Sequence, residues 1–156
     1  MLIMGIDPGL ACTGVAIVKD NLHIIHVDMI KTNIKDPTAV RLLKILLKLV
    51  EIIDDYGDIL MEVAIESQFI GKHFQNNMKI CMAKTSAMMA AAYRGKKVTS
   101  YAPASIKKSI CNYGKADKEQ VRKEVEKIYK DKVIGSNDVS DAIAIAYCHW
   151  QHTQNL

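Results

Sequence analysis

The chain has 156 residues, 49% of them hydrophobic and 24% charged, with a formal net charge of +4. That length and apolar content suit a single domain over 1–156 with a sizeable core, and no run approaches the about 18 uninterrupted apolar residues of a membrane span. The N-terminus lacks the basic flank and small-residue cleavage site of a signal peptide. Cys12, Cys81, Cys111 and Cys148, with no C-x-x-C pair, read as reduced core residues of a cytoplasmic protein, which excludes a disulfide framework or a cysteine zinc site.

The first element is a short apolar run, Leu2, Ile3, Met4 and Ile6, stopped by Pro8-Gly9, and it predicts a buried strand ending in the carboxylate of Asp7. Cys12–Val18 alternates and closes in Lys19-Asp20-Asn21, a hairpin signal, and Leu22–Thr32 predicts a third strand. Asp36-Pro37 predicts a helix start, with Asp36 as N-cap and Pro37 at the first helical position. That helix runs to about Asp55 before Gly57, and its spacing predicts burial of Val40, Leu43, Leu47, Val50 and Ile53.

Ile59–Ile65 is a fourth strand, ending in Glu66. A helix over Phe74–Arg94 follows, whose Met78, Met82, Met88 and Met89 with a run of alanines fit core packing and a helix–helix dimer seam equally. Lys97–Tyr101 is a fifth strand, Pro103 starts a helix broken at Asn112-Tyr113-Gly114, and Asp117 caps a charge-laced helix to about Tyr129. Gly135-Ser136-Asn137 opens the last helix, Asp138–Gln151. Strands and helices in this order predict an α/β fold with a mixed five-stranded sheet flanked by helices.

Charge is distributed unevenly. Residues 67–116 hold nine Lys or Arg and no Asp or Glu, with Phe69, Phe74, Tyr93, Tyr101 and Tyr113 interleaved. A solvated cationic face explains a short lysine run, but fifty residues of this composition point to a polyanion partner.

The acids supply the chemistry. Asp138 and Asp141 lie three apart at a helix start and project from one face. Helix-dipole and capping preferences account for Asp138 more readily than for Asp141, which lies beside apolar positions. If the first and fourth strands are neighbours, Asp7 and Glu66 meet at one rim, and the last helix can bring its pair there. Carboxylates so close repel unless divalent cations hold them. An oxygen-only donor set suits Mg2+ or Mn2+, and two such ions about 3.5–4 Å apart would support phosphodiester cleavage.

Five segments in order resemble a known family: Gly5-Ile-Asp7-Pro-Gly9 with Thr13-Gly14, Ala64-Ile-Glu66 with Phe69, Tyr101-x-Pro103-x-x-Ile106-Lys107, Ala116-x-Lys118-x-Gln120-Val121, and Asp138-x-x-Asp141-Ala-Ile-Ala. Along essentially its whole length the chain resembles the RuvC-type Holliday junction resolvases, within the ribonuclease H-like nucleases. The resemblance implies a homodimer that nicks opposed strands of a four-way DNA junction symmetrically, and it leaves open whether branch-migration helicase subunits dock here. It puts Asp7, Glu66, Asp138 and Asp141 on the metal-binding carboxylates. Lys107 and Lys118 fall on basic active-centre positions, and without the resemblance both read as solvated surface charges. Phe69 falls on a base-stacking aromatic, and within the cationic 67–116 segment Lys72, Lys84, Lys108 and Lys115 are further candidate DNA contacts. Cys81-Met-Ala-Lys84-Thr85 departs from the usual Gly-Gln-Ala-Arg-Gly-like run, which bears on helix approach and phosphate grip. Asn112 replaces a glycine, a mild change because Asn tolerates left-handed backbone. His73, His149 and His152 take no role in this reading. The competing readings are a non-catalytic junction binder and a ribonuclease H-like nuclease acting on structured RNA.

Overall fold

The computed structural model describes residues 1–19, 23–56, 61–67, 74–130 and 137–154. Three strands lead, β1 (Leu2–Asp7), β2 (Cys12–Lys19) and β3 (His23–Lys31), followed by α1 (Thr38–Asp55) and β4 (Met61–Glu66). Then come α2 (Phe74–Tyr93), β5 (Val98–Tyr101), α3 (Pro103–Cys111), α4 (Lys118–Tyr129) and α5 (Asn137–Gln154). The strands form a mixed sheet in the order β3-β2-β1-β4-β5. β1 pairs antiparallel with β2 and parallel with β4, and β4 pairs parallel with β5.

Both faces of the central strands are buried, so β1 and β4 are nearly continuous apolar runs that end in acids. Leu2, Met4 and Ile6 of β1 pack with α1 and α2 on one face, while Ile3 packs with α3, α4 and α5 on the other. Because side chains alternate along a strand, Gly5 and Asp7 share the α5 face with Ile3. A Cβ at Gly5 would lie 2.0 Å from the Ala142 carbonyl oxygen, and one at Gly14 would lie 2.2 Å from that of Asp138. These two glycines let α5 rest directly on β1 and β2.

Two expectations for α1 are corrected. Asp36 does not cap the helix: Pro37 occupies the N-cap position and Thr38 is the first helical residue. The cause is a turn that starts at Asn33, whose side chain accepts from the Lys35 amide and whose carbonyl accepts from the Asp36 amide. Val40, Leu43 and Leu47 are more than half exposed, while Arg41, Ile45, Leu49, Val50, Ile52 and Ile53 are buried. The helix is apolar on two sides, and spacing alone does not tell which side meets the sheet. On α2 the alanines Ala83, Ala87, Ala90 and Ala91 face the core, and Met78, Met82, Met88 and Met89 face outward.

The starts of α3 and α4 follow the sequence. Pro103 stands in the first turn of α3, and Asn112 ends that helix in left-handed backbone (φ 55°). Asp117 and Gln120 form a reciprocal capping box at α4. The hairpin residues 20–22, Gly57, Ile59 and Gly135-Ser136 lie outside the described residues, as do Phe69, Lys72 and His73. Among the described residues no helix is long and apolar enough to cross a membrane.

Candidate active site

The β1–β4 register pairs Ile6 with Ile65, so the next residues along, Asp7 and Glu66, end the two strands side by side. The turn after Asp7 is tied down from within: the Thr13 hydroxyl donates to the Gly9 carbonyl at 2.8 Å. A Cβ at Gly9 would lie 2.3 Å from the Cys12 carbonyl oxygen, so only glycine permits so tight a return. From outside, the Thr32 hydroxyl donates to the Leu10 carbonyl at 2.5 Å and accepts from Arg41 Nε at 2.8 Å. α5 arrives over the same end of the sheet, because Gly14 lets its first turn touch β2.

The result is a cavity of about 400 Å³ lined by Asp7, Glu66, Asp138 and Asp141 together with Lys107, Lys118 and Cys12. Carboxylate oxygens of Asp7, Asp138 and Asp141 all lie within 4.8 Å of one another. Glu66 enters the cavity from β4 without joining that tight trio. Lys118 Nζ is 3.0 Å from Asp141 Oδ2, which holds the ammonium at the mouth of the cavity.

Asp7 carries the electrostatic load. Burial, and then the charges of Glu66, Asp141 and Asp138, push its carboxyl up to about 7, against a partial offset from Lys118. A group so placed resists ionising until a cation arrives. Three to four carboxylates with no imidazole or thiolate donor in the trio form a hard oxygen set of the kind Mg2+ and Mn2+ take. Partial burial works against the charge on Lys118, but the Asp141 hydrogen bond and the neighbouring acids raise its pKa overall.

Cys12 was not legible as a site residue. It is half-buried on the cavity wall, and burial together with a hydrogen bond to Asp138 pushes its thiol up to about 11. The signal that could have found it is the hairpin register pairing Asp7 with Gly14, which returns the chain to Asp7 by residue 12. Of the other described lysines named from sequence, Lys84 is half-buried on α2, and Lys108 and Lys115 are exposed on α3 and the loop after it. None of the three lines the cavity.

The family model for the crossover junction endodeoxyribonuclease RuvC matches residues 3–149. The chain belongs to the RuvC family. It is 34% identical to the RuvC of Natranaerobius thermophilus over 97% of this chain and 95% of that one. It is 36% identical to the RuvC of Alkaliphilus metalliredigens over 100% of this chain and 98% of the relative. Among solved structures it is similar to T. thermophilus RuvC in complex with a Holliday junction substrate, with a TM-score of 0.89 and 26% identity. That match covers 99% of this chain and 96% of the other. The fold is therefore the ribonuclease H-like one, and the family is one of nucleases.

Proposed function

We propose that this chain resolves four-way DNA junctions by paired, symmetric nicks, acting through one nuclease domain over residues 1–156 and two Mg2+ ions per site, with Mn2+ able to substitute. The observation that carries the reading is the convergence of Asp7, Asp138 and Asp141 within 4.8 Å, from a strand and a helix more than a hundred residues apart. The activity for which the family is named and the junction bound to a RuvC of the same fold support it. Bound divalent cations would neutralise the reacting phosphate and lower the pKa of the attacking water.

The chain's own residues do the rest. Asp7, Asp138 and Asp141, with Glu66 beside them, line the cavity and would hold the cations. Lys118 and Lys107 line the same cavity and would offset the charge of the cleaved phosphate. Phe69, Lys72, Lys84, Lys108 and Lys115 are proposed to contact the flanking DNA, where each phosphate contact adds affinity and salt dependence. Four unpaired cysteines suit work in the reducing cytoplasm.

Incubating the purified protein with a labelled four-way junction and Mg2+ tests this. Nicked duplexes from two opposed strands are expected, with linear duplex and structured RNA cut far more slowly. A band shift without nicks would support a junction binder instead, and preferential RNA cleavage would support an RNA-processing enzyme.

The pH dependence follows from Asp7. Its carboxyl is raised from 3.8 to about 7, so the stability it contributes is fully present below about 3.8 and is lost as pH rises to about 7 in the metal-free protein. Cation binding needs the ionised form, so the sign for metal affinity is opposite. Mg2+ affinity is expected to rise by up to about tenfold per pH unit below 7 and to level off above it. A titration from pH 5.5 to 8.5 by calorimetry checks this, and a flat profile would remove Asp7 from the ligand set.

We also propose a homodimer joined through α1 and α2. A groove of about 460 Å³ between them is lined almost wholly by apolar atoms of Leu42, Leu43, Leu46, Met78, Met82 and Met89, with Cys81 at its edge. Leu43, Leu47 and Met89 are each more than half exposed beside it. Such a continuous patch fits a self-complementary interface, and a symmetric substrate calls for two copies of the site. Leu43→Glu with Met89→Glu is expected to give a single species of 17.4 kDa in sedimentation, with loss of paired nicking. A double variant that stays dimeric would move the interface elsewhere.

A further inference from the structure

Behind the acidic cavity, and outside its lining, lies a buried polar chain. His149, on α5, is 2% exposed. Its Nε2 lies 2.8 Å from Glu62 Oε2 on β4, and its Nδ1 lies 2.9 Å from the Tyr101 hydroxyl on β5. An ionised carboxylate only accepts, so in the neutral imidazole Nε2–H donates to Glu62 and Nδ1 accepts from the Tyr101 O–H. Lys97 Nζ stands 3.4 Å from Glu62 and closes the outer end. Burial of Glu62 opposes its charge, yet hydrogen bonds from His149 and Lys97 hold its carboxyl below the ordinary value.

The placement matters more than the bonds themselves. Glu62 and Glu66 lie four apart on β4, on one face and about 13 Å from each other. Asp141 and His149 lie eight apart on α5, about 12 Å along the helix. Helix and strand are thus pinned together one matched length away from the point where their acids converge. Tyr101 joins the two ends: its backbone pairs in register with Glu66 and its carbonyl accepts from the Ser67 amide at 2.7 Å. Its ring meantime lies against His149 and His152 of α5, with centroids 5.8 and 4.9 Å away.

We propose that His149, bridged to Glu62 and Tyr101, is a positioning residue that fixes the register of α5 against β4 and so the spacing of Asp138 and Asp141 from Asp7 and Glu66. This rests on the metal-nuclease reading of the cavity. None of His149, Glu62 and Tyr101 lines the acidic cavity, so the network acts through the carboxylates. Metal sites lose about 10- to 100-fold in affinity when the groups that orient their ligands are removed, and the lower end of that range suits a contact one step further out.

The test is Mn2+ binding without DNA, followed by the EPR signal of free Mn2+, in the full chain and in Glu62→Leu, Glu62→Gln and Tyr101→Phe. Glu62→Gln keeps an acceptor for Nε2–H and loses only a charge beyond a Debye length from the site, so its affinity is expected within about twofold of wild type. Glu62→Leu removes the acceptor and is expected to weaken Mn2+ by about tenfold. Junction affinity in EDTA should change less than about twofold, because no DNA contact is lost. Glu62→Leu with wild-type Mn2+ affinity overturns the proposal, and so does equal weakening in the Gln and Leu variants. Should Glu62→Leu not fold, Tyr101→Phe, which deletes one hydroxyl, decides: weakening of about threefold supports the brace and no change overturns it. Failure of the unaltered chain to bind Mn2+ would instead strike the metal-nuclease reading itself, and this proposal with it.

Discussion

Asp7→Asn is expected to abolish nicking while leaving junction binding in place. Asn keeps the size of the side chain but offers the cation a neutral amide where the cluster supplies its most central carboxylate. Loss of a group that merely orients a ligand costs about 10- to 100-fold, so loss of a ligand should cost more than about a hundredfold in rate. The same change should raise the stability of the metal-free protein. Asp7 is held near 7 chiefly by burial and by the charges of Glu66 and Asp141, so above that pH its ionisation strains the fold, and Asn removes the strain. A gain of one kcal/mol corresponds to about 2–4 °C in a domain of this size. Differential scanning fluorimetry at pH 8 should therefore show a higher melting temperature for Asp7→Asn without metal and a smaller shift on adding Mg2+. Nicking within about tenfold of wild type, or a lower metal-free melting temperature, would contradict the assignment.

This exchange of stability for chemistry explains what the sequence disclosed and what it withheld. Asp7 and Glu66 were legible because an acid at the end of a buried apolar strand is costly without a purpose, and parallel pairing of β1 with β4 brings the two together. Asp138 and Asp141 were legible as a pair on one helical face. Lys107 and Lys118 were not legible from composition, since an exposed lysine looks alike over a cavity and on any surface, and only the family resemblance singled them out. Cys12 and His149 were missed for opposite reasons. A lone cysteine in a strand reads as core, and a histidine's partners, here Glu62 and Tyr101, are distant in sequence and appear only when α5 is laid across the sheet. The error on α1 has the same root. A helix with apolar residues on two sides has two uses for them, and Val40, Leu43 and Leu47 face away from this chain's own core.

The glycines under α5 offer the second large effect, and they separate folding from site geometry. At Gly5 a new Cβ would meet backbone atoms of Ala142 and Ala146 at 2.0 and 2.8 Å, in the middle of the helix. Backbone cannot rotate aside, so Gly5→Ala must lift α5 from β1, and overpacking of this kind costs about 1–3 kcal/mol or more. Against a total stability of about 5–15 kcal/mol, a melting temperature lower by roughly 2–12 °C is expected. At Gly14 the clash is with the Asp138 carbonyl at 2.2 Å, in the first turn, where a helix end can yield. Gly14→Ala should therefore lose less stability, yet it displaces the turn that carries Asp138 and should weaken Mn2+ binding by about tenfold or more. Measuring melting temperature and Mn2+ affinity for both variants sets the two effects apart. If Gly14→Ala binds Mn2+ as tightly as the unaltered chain, the first turn of α5 does not deliver the carboxylates, and the metal must lie elsewhere.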